Sequence, residues 1–96
     1  MIKHVVVIKF KKDTGKNGID KLEKKLGALP EQIAEIIKYE FGCDVLRSER
    51  SYDFTIVSVF DSLETLSKYI IHPKHQEVAG LIKEMSDSTI VVDFES

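Results

Sequence analysis

Ninety-six residues, 43% of them hydrophobic and 31% charged, describe one ordinary globular domain, residues 1–96, with room for a single modest core. A formal charge of -2 gives no electrostatic reason to expect nucleic acid or an anionic membrane as a partner. The longest apolar run, Val5 to Ile8, is far short of the ~20 residues of a membrane helix, and no signal-peptide pattern opens the chain.

Ile2 to Phe10 reads as a strand, with Ile2, His4, Val6, Ile8 and Phe10 on one face and Lys3, Val5, Val7 and Lys9 on the other. A polar loop, Lys11 to Gly18, follows, and its lysines are expected to be solvated. Ile19, Leu22, Leu26 and Leu29 then recur at helical spacing, with Asn17 as the expected N-cap and Pro30 as the stop. Ile36 to Cys43 returns to a period of two. Cys43, the single cysteine, is expected to be a packed thiol; it cannot form an internal disulfide, which points to a reducing cytoplasm. After a charged loop, Asp44 to Ser51, the third strand runs from Tyr52 to Phe60. Asp61 with Glu64 three residues on resembles a capping box, and Leu63, Leu66 and Ile70 form the stripe of the helix it opens. Pro73 disfavours a helical conformation at His72, so that helix breaks there and a new one starts. The new helix carries Val78, Ala79, Ile82 and Met85 inward, and Thr89 to Glu95 closes the chain as a fourth strand.

The order β-α-β-β-α-α-β suits an α+β fold, a ferredoxin-like four-stranded antiparallel sheet with helices on one face. Such a sheet should alternate apolar and polar residues. Strands one and three do not: Val5 and Val7 oppose Val6 and Ile8, and Val57 and Val59 oppose Ile56 and Phe60. Both faces need cover, and the helices are used on one. The economical solution is a homodimer that joins two sheet faces into a dimeric α/β barrel. The alternative is a monomer whose third helix wraps to the second face.

The chemistry of the chain concentrates in Tyr69-Ile70-Ile71-His72-Pro73-Lys74-His75, which holds two of the three histidines. Imidazole titrates near pH ~6.5 and a phenol donates or accepts, so the segment suits proton transfer. Each residue also has a plainer reading. His75, at the head of the Val78, Ala79 and Ile82 stripe, is either a catalytic or ligand-contacting group or a buried structural histidine. Tyr69 is either a site residue or a core-edge tyrosine. His72 is either a site residue or a helix cap, and His4 is either core filler or, on its partner-facing side, a cavity lining. The histidine spacing completes no structural zinc set, and no metal is expected. The phosphate loop, dinucleotide signature and nucleophile elbow are all missing, which excludes their reaction classes, and no cofactor is called for.

His4 within Lys3-His4-Val5-Val6-Val7, the Gly42-Cys43-Asp44-Val45 run, Phe60-Asp61-Ser62-Leu63-Glu64-Thr65-Leu66 and the Tyr69 to His75 segment together resemble the stress-responsive dimeric α/β-barrel (Dabb) family. The resemblance spans essentially the whole chain. It implies a ferredoxin-like subunit that pairs sheet to sheet. One plant member closes a linear polyketide by an aldol-type step, and its catalytic tyrosine and histidine fall on Tyr69 and His75. The resemblance also places His4 and His72 in the site. The chain departs from that cyclase at Lys25, Gly27, Val78 and Lys83-Glu84-Met85-Ser86, where aromatic pocket walls are absent, so the cavity should have a different shape. The expectation is a small, largely apolar ligand held between sheet and helices. Val6, Ile8 and Val78 would form walls, and His4 and His72 would add polar contacts to Tyr69 and His75. The rival expectation is a non-enzymatic stress-protective or interaction module with a closed interior. A cavity of ~300 Å³ or more reaching Tyr69 and His75 separates the two.

Overall fold

The computed structural model describes residues 1–96. Its elements are β1 (Ile2–Phe10), α1 (Lys16–Gln32), β2 (Lys38–Cys43), β3 (Phe54–Phe60), α2 (Leu63–Ile71), α3 (Pro73–Met85) and β4 (Ser86–Glu95). The strands form one antiparallel sheet in the order β2-β3-β1-β4. The fold is the α+β, ferredoxin-like arrangement, and the helices lie on one face, packing mainly on β1, β2 and β3.

Alternation in β1 and β3 decides which residues reach the helices. Ile2, Ile8 and Phe10 join Phe54, Ile56 and Phe60 under Leu22, Leu26, Leu29 and Ile33, and this cluster is the core. Fully burying one such side chain is worth about 1.5–3 kcal/mol. The opposite face is also apolar. Val5 stands between Val57 and Val92, Val7 lies beside Ile90, and Val59 and Phe94 flank Lys3. Ile90, Val92 and Phe94 are 51%, 59% and 45% exposed. The third helix does not wrap round to this side.

Several boundaries differ from those read in the sequence. Gly15, not Asn17, is the N-cap of α1, and no side chain caps it. The helix runs through Pro30 to Gln32. So close to the helix end, the missing proline N–H removes one bond, while Leu29 and Ile33 are both buried and Ile33 N–H still donates to the Leu29 carbonyl. Cys43, expected to be packed, is exposed at the end of edge strand β2. The second and third strands are shorter than expected, beginning at Lys38 and Phe54. Strand β4 begins three residues early, directly after α3, because Ser86 pairs with Phe10 across a bulge. Its polar start, Ser86-Asp87-Ser88, hides this extension from a reading based on apolar alternation.

The start of α2 also sits one residue later than expected. Ser62 caps it, accepting from Thr65 N–H at 3.2 Å, while Thr65 Oγ1 accepts from Ser62 N–H at 3.2 Å. This reciprocal box satisfies two backbone donors. Ser62→Ala should cost about 1 kcal/mol of folding stability; urea denaturation would read this as a lower midpoint at unchanged slope, and an unshifted midpoint would contradict it.

His72 ends α2 and caps α3. Its extended backbone accommodates Pro73 at the first position of α3, and its Nδ1 accepts from Lys74 N–H at 3.1 Å. The two helices therefore meet at a one-residue corner.

Candidate functional site

The corner sets the positions of the phenol and the imidazole. Tyr69 lies in the last turn of α2 and points into the core, 2% exposed. His75 lies in the first turn of α3, and its ring centroid is 4.3 Å from that of Tyr69. His75 Nδ1 donates to the Ile70 carbonyl at 3.0 Å, filling one of the acceptors left open at the end of α2. A carbonyl only accepts, so the proton is on Nδ1 and Nε2 presents a lone pair. Burial lowers the His75 pKa below the usual imidazole value. Its hydrogen bond to Ile70 pulls the other way, and the fields of His4 and His72 add to the lowering. At neutral pH this imidazole is an unprotonated base.

Tyr69 hydroxyl shares a 2.9 Å hydrogen bond with the hydroxyl of Tyr39 on β2, and either can donate. Burial raises both phenol pKa values; the Tyr69–Tyr39 bond holds Tyr69 down while Tyr69 pushes Tyr39 further up. Both remain protonated at neutral pH. Opposite them, His4 is buried and its Nδ1 donates to Asp93, its cross-strand partner on β4. The His4 and Tyr69 rings meet edge to face at 6.1 Å.

These groups surround an open cavity of about 600 Å³. It exists because the helices leave the β1–β4 side of the sheet thinly covered, so Val91 is 49% exposed although it pairs with Val6 on the helix-facing side. Val6, Ile56 and Val91 form its floor, and Leu26, Val78, Ala79 and Ile82 form the helical wall.

The structure thus brings together Tyr69, His75, His4, Val6 and Val78 from the residues singled out in the sequence. Two others lie elsewhere. Ile8 is fully buried in the closed core, and His72 serves as the helix cap outside the cavity lining. His4 turns toward the helices rather than toward the open sheet face. Tyr39 and Asp93 were not singled out. Tyr39 carried a weak signal, as a phenol on the inward period of β2. Asp93 carried one as the lone acid within Ile90-Val91-Val92-Asp93-Phe94. No group of three or more His, Cys, Asp or Glu side chains is arranged to hold a metal ion, and no helix is long and apolar enough to cross a membrane.

A four-stranded antiparallel sheet with a cavity under its helices and a second, uncovered apolar face defines an α+β domain of the ferredoxin-like class. The chain belongs to the stress responsive A/B barrel domain family, whose model matches residues 2–96. It is 30% identical over 95 residues to the stress-response A/B barrel domain-containing protein HS1 of Arabidopsis thaliana, covering 97% of this chain and 87% of that one. It is 28% identical over 95 residues to olivetolic acid cyclase of Cannabis sativa, covering 97% and 94%. Among solved structures it is similar to a dimeric ferredoxin-like protein of unknown function from Thermobifida fusca, with a TM-score of 0.91 and 25% identity over 99% of this chain and 90% of that one.

Proposed function

We propose that this protein is a homodimer that binds a small, largely apolar carbonyl compound in the cavity beside Tyr69 and His75 and moves a proton on it. The observation that carries the reading is the open cavity of about 600 Å³ with an unprotonated imidazole nitrogen and a hydrogen-bonded phenol in its lining. Both side chains packed solid, with no cavity reaching them, would favour a purely interacting module instead. In the proposed chemistry, His75 Nε2 takes a proton from the carbon next to the carbonyl. Tyr69 donates to the carbonyl oxygen as negative charge gathers there, and Tyr39 donates to Tyr69. The His4–Asp93 pair fixes a second imidazole edge to face with Tyr69. The relationship to olivetolic acid cyclase supports cyclase- or lyase-like acid/base chemistry.

Homodimerisation through the outer sheet face is supported by its run of valines with Ile90 and Phe94 and by the dimeric state of the Thermobifida fusca relative. The free, exposed Cys43 suits a reducing cytoplasmic setting. No cofactor, nucleic acid or membrane enters this reading.

A thermal-shift screen of apolar aldehydes and ketones, joined to mass spectrometry of small molecules that co-purify, tests it. A ligand at 100 times its Kd stabilises by about 2.7 kcal/mol, which is on the order of 10 °C in a domain this size. Ala79→Trp fills the cavity from α3 and should abolish the shift. A compound that stabilises this variant equally would place binding elsewhere, and a screen without hits would remove the basis for the ligand.

A further inference from the structure

The cavity has a second end that the proposed chemistry does not use. Helix α3 ends at Met85 and β4 begins at Ser86, with no loop between them. From that junction the two diverge, α3 packing on α1 and α2 and barely touching β4. The space between them is a wedge. His75, Ala79, Ile82 and Lys83 line it from α3, and Asp93, Val91 and Thr89 line it from β4.

The narrow end of the wedge is held in place. Met85 carbonyl accepts from Lys11 N–H at 2.8 Å, and Ser86 Oγ donates to the Ile82 carbonyl. The chain itself therefore forms a fixed stop. Polarity changes twice on the way to it. Tyr69, His75 and the His4–Asp93 pair stand at the wide end. Ala79, Ile82 and Val91 make an apolar middle, and Lys83, Asp87 and Thr89 make a polar narrow end. Lys83 and Asp87 are in no ion pair, and all three side chains are exposed. One cation and one carboxylate cancel, so this end offers donors and acceptors without favouring either sign of charge. An alkyl end group would meet water and polar side chains there.

Both walls give the same length. His75 to Lys83 is eight residues of helix, ~12 Å. Asp93 to Thr89 is four residues of strand, ~13 Å. From this we infer that the ligand is a linear chain with the reacting carbonyl at one end and an uncharged hydroxyl at the other. About ten bonds separate the two, and the α3–β4 junction measures that length. The inference rests on the cavity being the ligand site.

The test is an NMR titration of the full chain with linear ω-hydroxy methyl ketones whose spacers are about six, ten and fourteen bonds. The ten-bond compound should shift His75 and Thr89 together. It should bind about tenfold more tightly than the six-bond one, which reaches only one end. The fourteen-bond compound should bind no better, whereas an open-ended apolar surface would keep gaining with each methylene. At the ten-bond length the hydroxyl compound should bind about fivefold more tightly than its ω-methyl and ω-carboxylate analogues. Thr89→Val, at an exposed strand position that tolerates valine, should erase the advantage over the ω-methyl analogue. Affinity that climbs steadily with length, with His75 shifted and Thr89 unshifted in every complex, would overturn the ruler while the cavity reading stands. A preference unchanged in Thr89→Val, or a carboxylate that binds best, would overturn the hydroxyl site. If no ketone of any length shifts His75, the cavity reading fails and the ruler with it.

Discussion

Val92→Asp should convert the protein from dimer to monomer at micromolar concentration. Val92 is 59% exposed on the outer sheet face, where it neighbours Val5. In the isolated subunit the new carboxylate meets water, so the fold should be retained. In a two-fold dimer the same face is used by both copies, and one substitution therefore enters the interface twice. Each buried, unpaired carboxylate costs several kcal/mol. Even about 3 kcal/mol in total raises the dimer Kd more than 100-fold. Analytical ultracentrifugation of the wild type and the variant, with circular dichroism to check folding, gives the answer. A dimeric Val92→Asp protein, or a wild type that is monomeric at that concentration, would contradict the sheet-to-sheet barrel.

His75→Gln should lower the rate of proton abstraction by a factor of about 10² to 10⁴. Glutamine keeps an N–H donor for the Ile70 carbonyl but carries no base, so a loss of rate is separable from a loss of the α2 cap. The reaction can be followed without knowing the natural substrate, as exchange of deuterium into the carbon beside the carbonyl of a long-chain methyl ketone. The wild-type rate should be flat above pH ~6.5 and fall on the acid side, because burial holds the His75 pKa below that of free imidazole. Stability should follow the same direction. The folded pKa lies below the unfolded one, so the unfolded chain binds more protons between the two values. The contribution is fully present above the unfolded pKa and is lost as pH falls through the folded one. The wild type should therefore lose more stability than His75→Gln between pH 7 and pH 5. Equal exchange rates in the two proteins would dismiss His75 as the base. Tyr69→Phe should slow exchange as well, with the acid limb unmoved, since its role is to steady the oxygen.

Much of the fold was legible because strand alternation is a local property. The valines of β1 and β3 announced two apolar faces within single strands, and Pro73 announced the corner. The same logic placed Tyr69 and His75 near each other, since only one residue separates their helices. What failed depended on distant parts of the chain. Val6 and Ile8 share a face and a period, yet one lines the cavity and the other is sealed in the core, because only three-dimensional helix placement tells them apart. Asp93 meets His4 through the register of β1 with β4, across 89 positions. Tyr39 meets Tyr69 only after β2 reaches the sheet edge. Boundaries slipped where polar residues carried the structure, as in the Ser62–Thr65 box and the polar opening of β4.

The His72 corner has a bearing on how such proteins diversify. The spacing between Tyr69 and His75 is written into seven consecutive residues, whereas walls of the cavity come from β1, α1, β3 and β4 as well. Exchanging Leu26, Ile56 or Val91 would reshape the chamber without touching the segment that sets Tyr69 against His75. One short cassette can thus hold a phenol and an imidazole at a fixed separation inside differently shaped chambers.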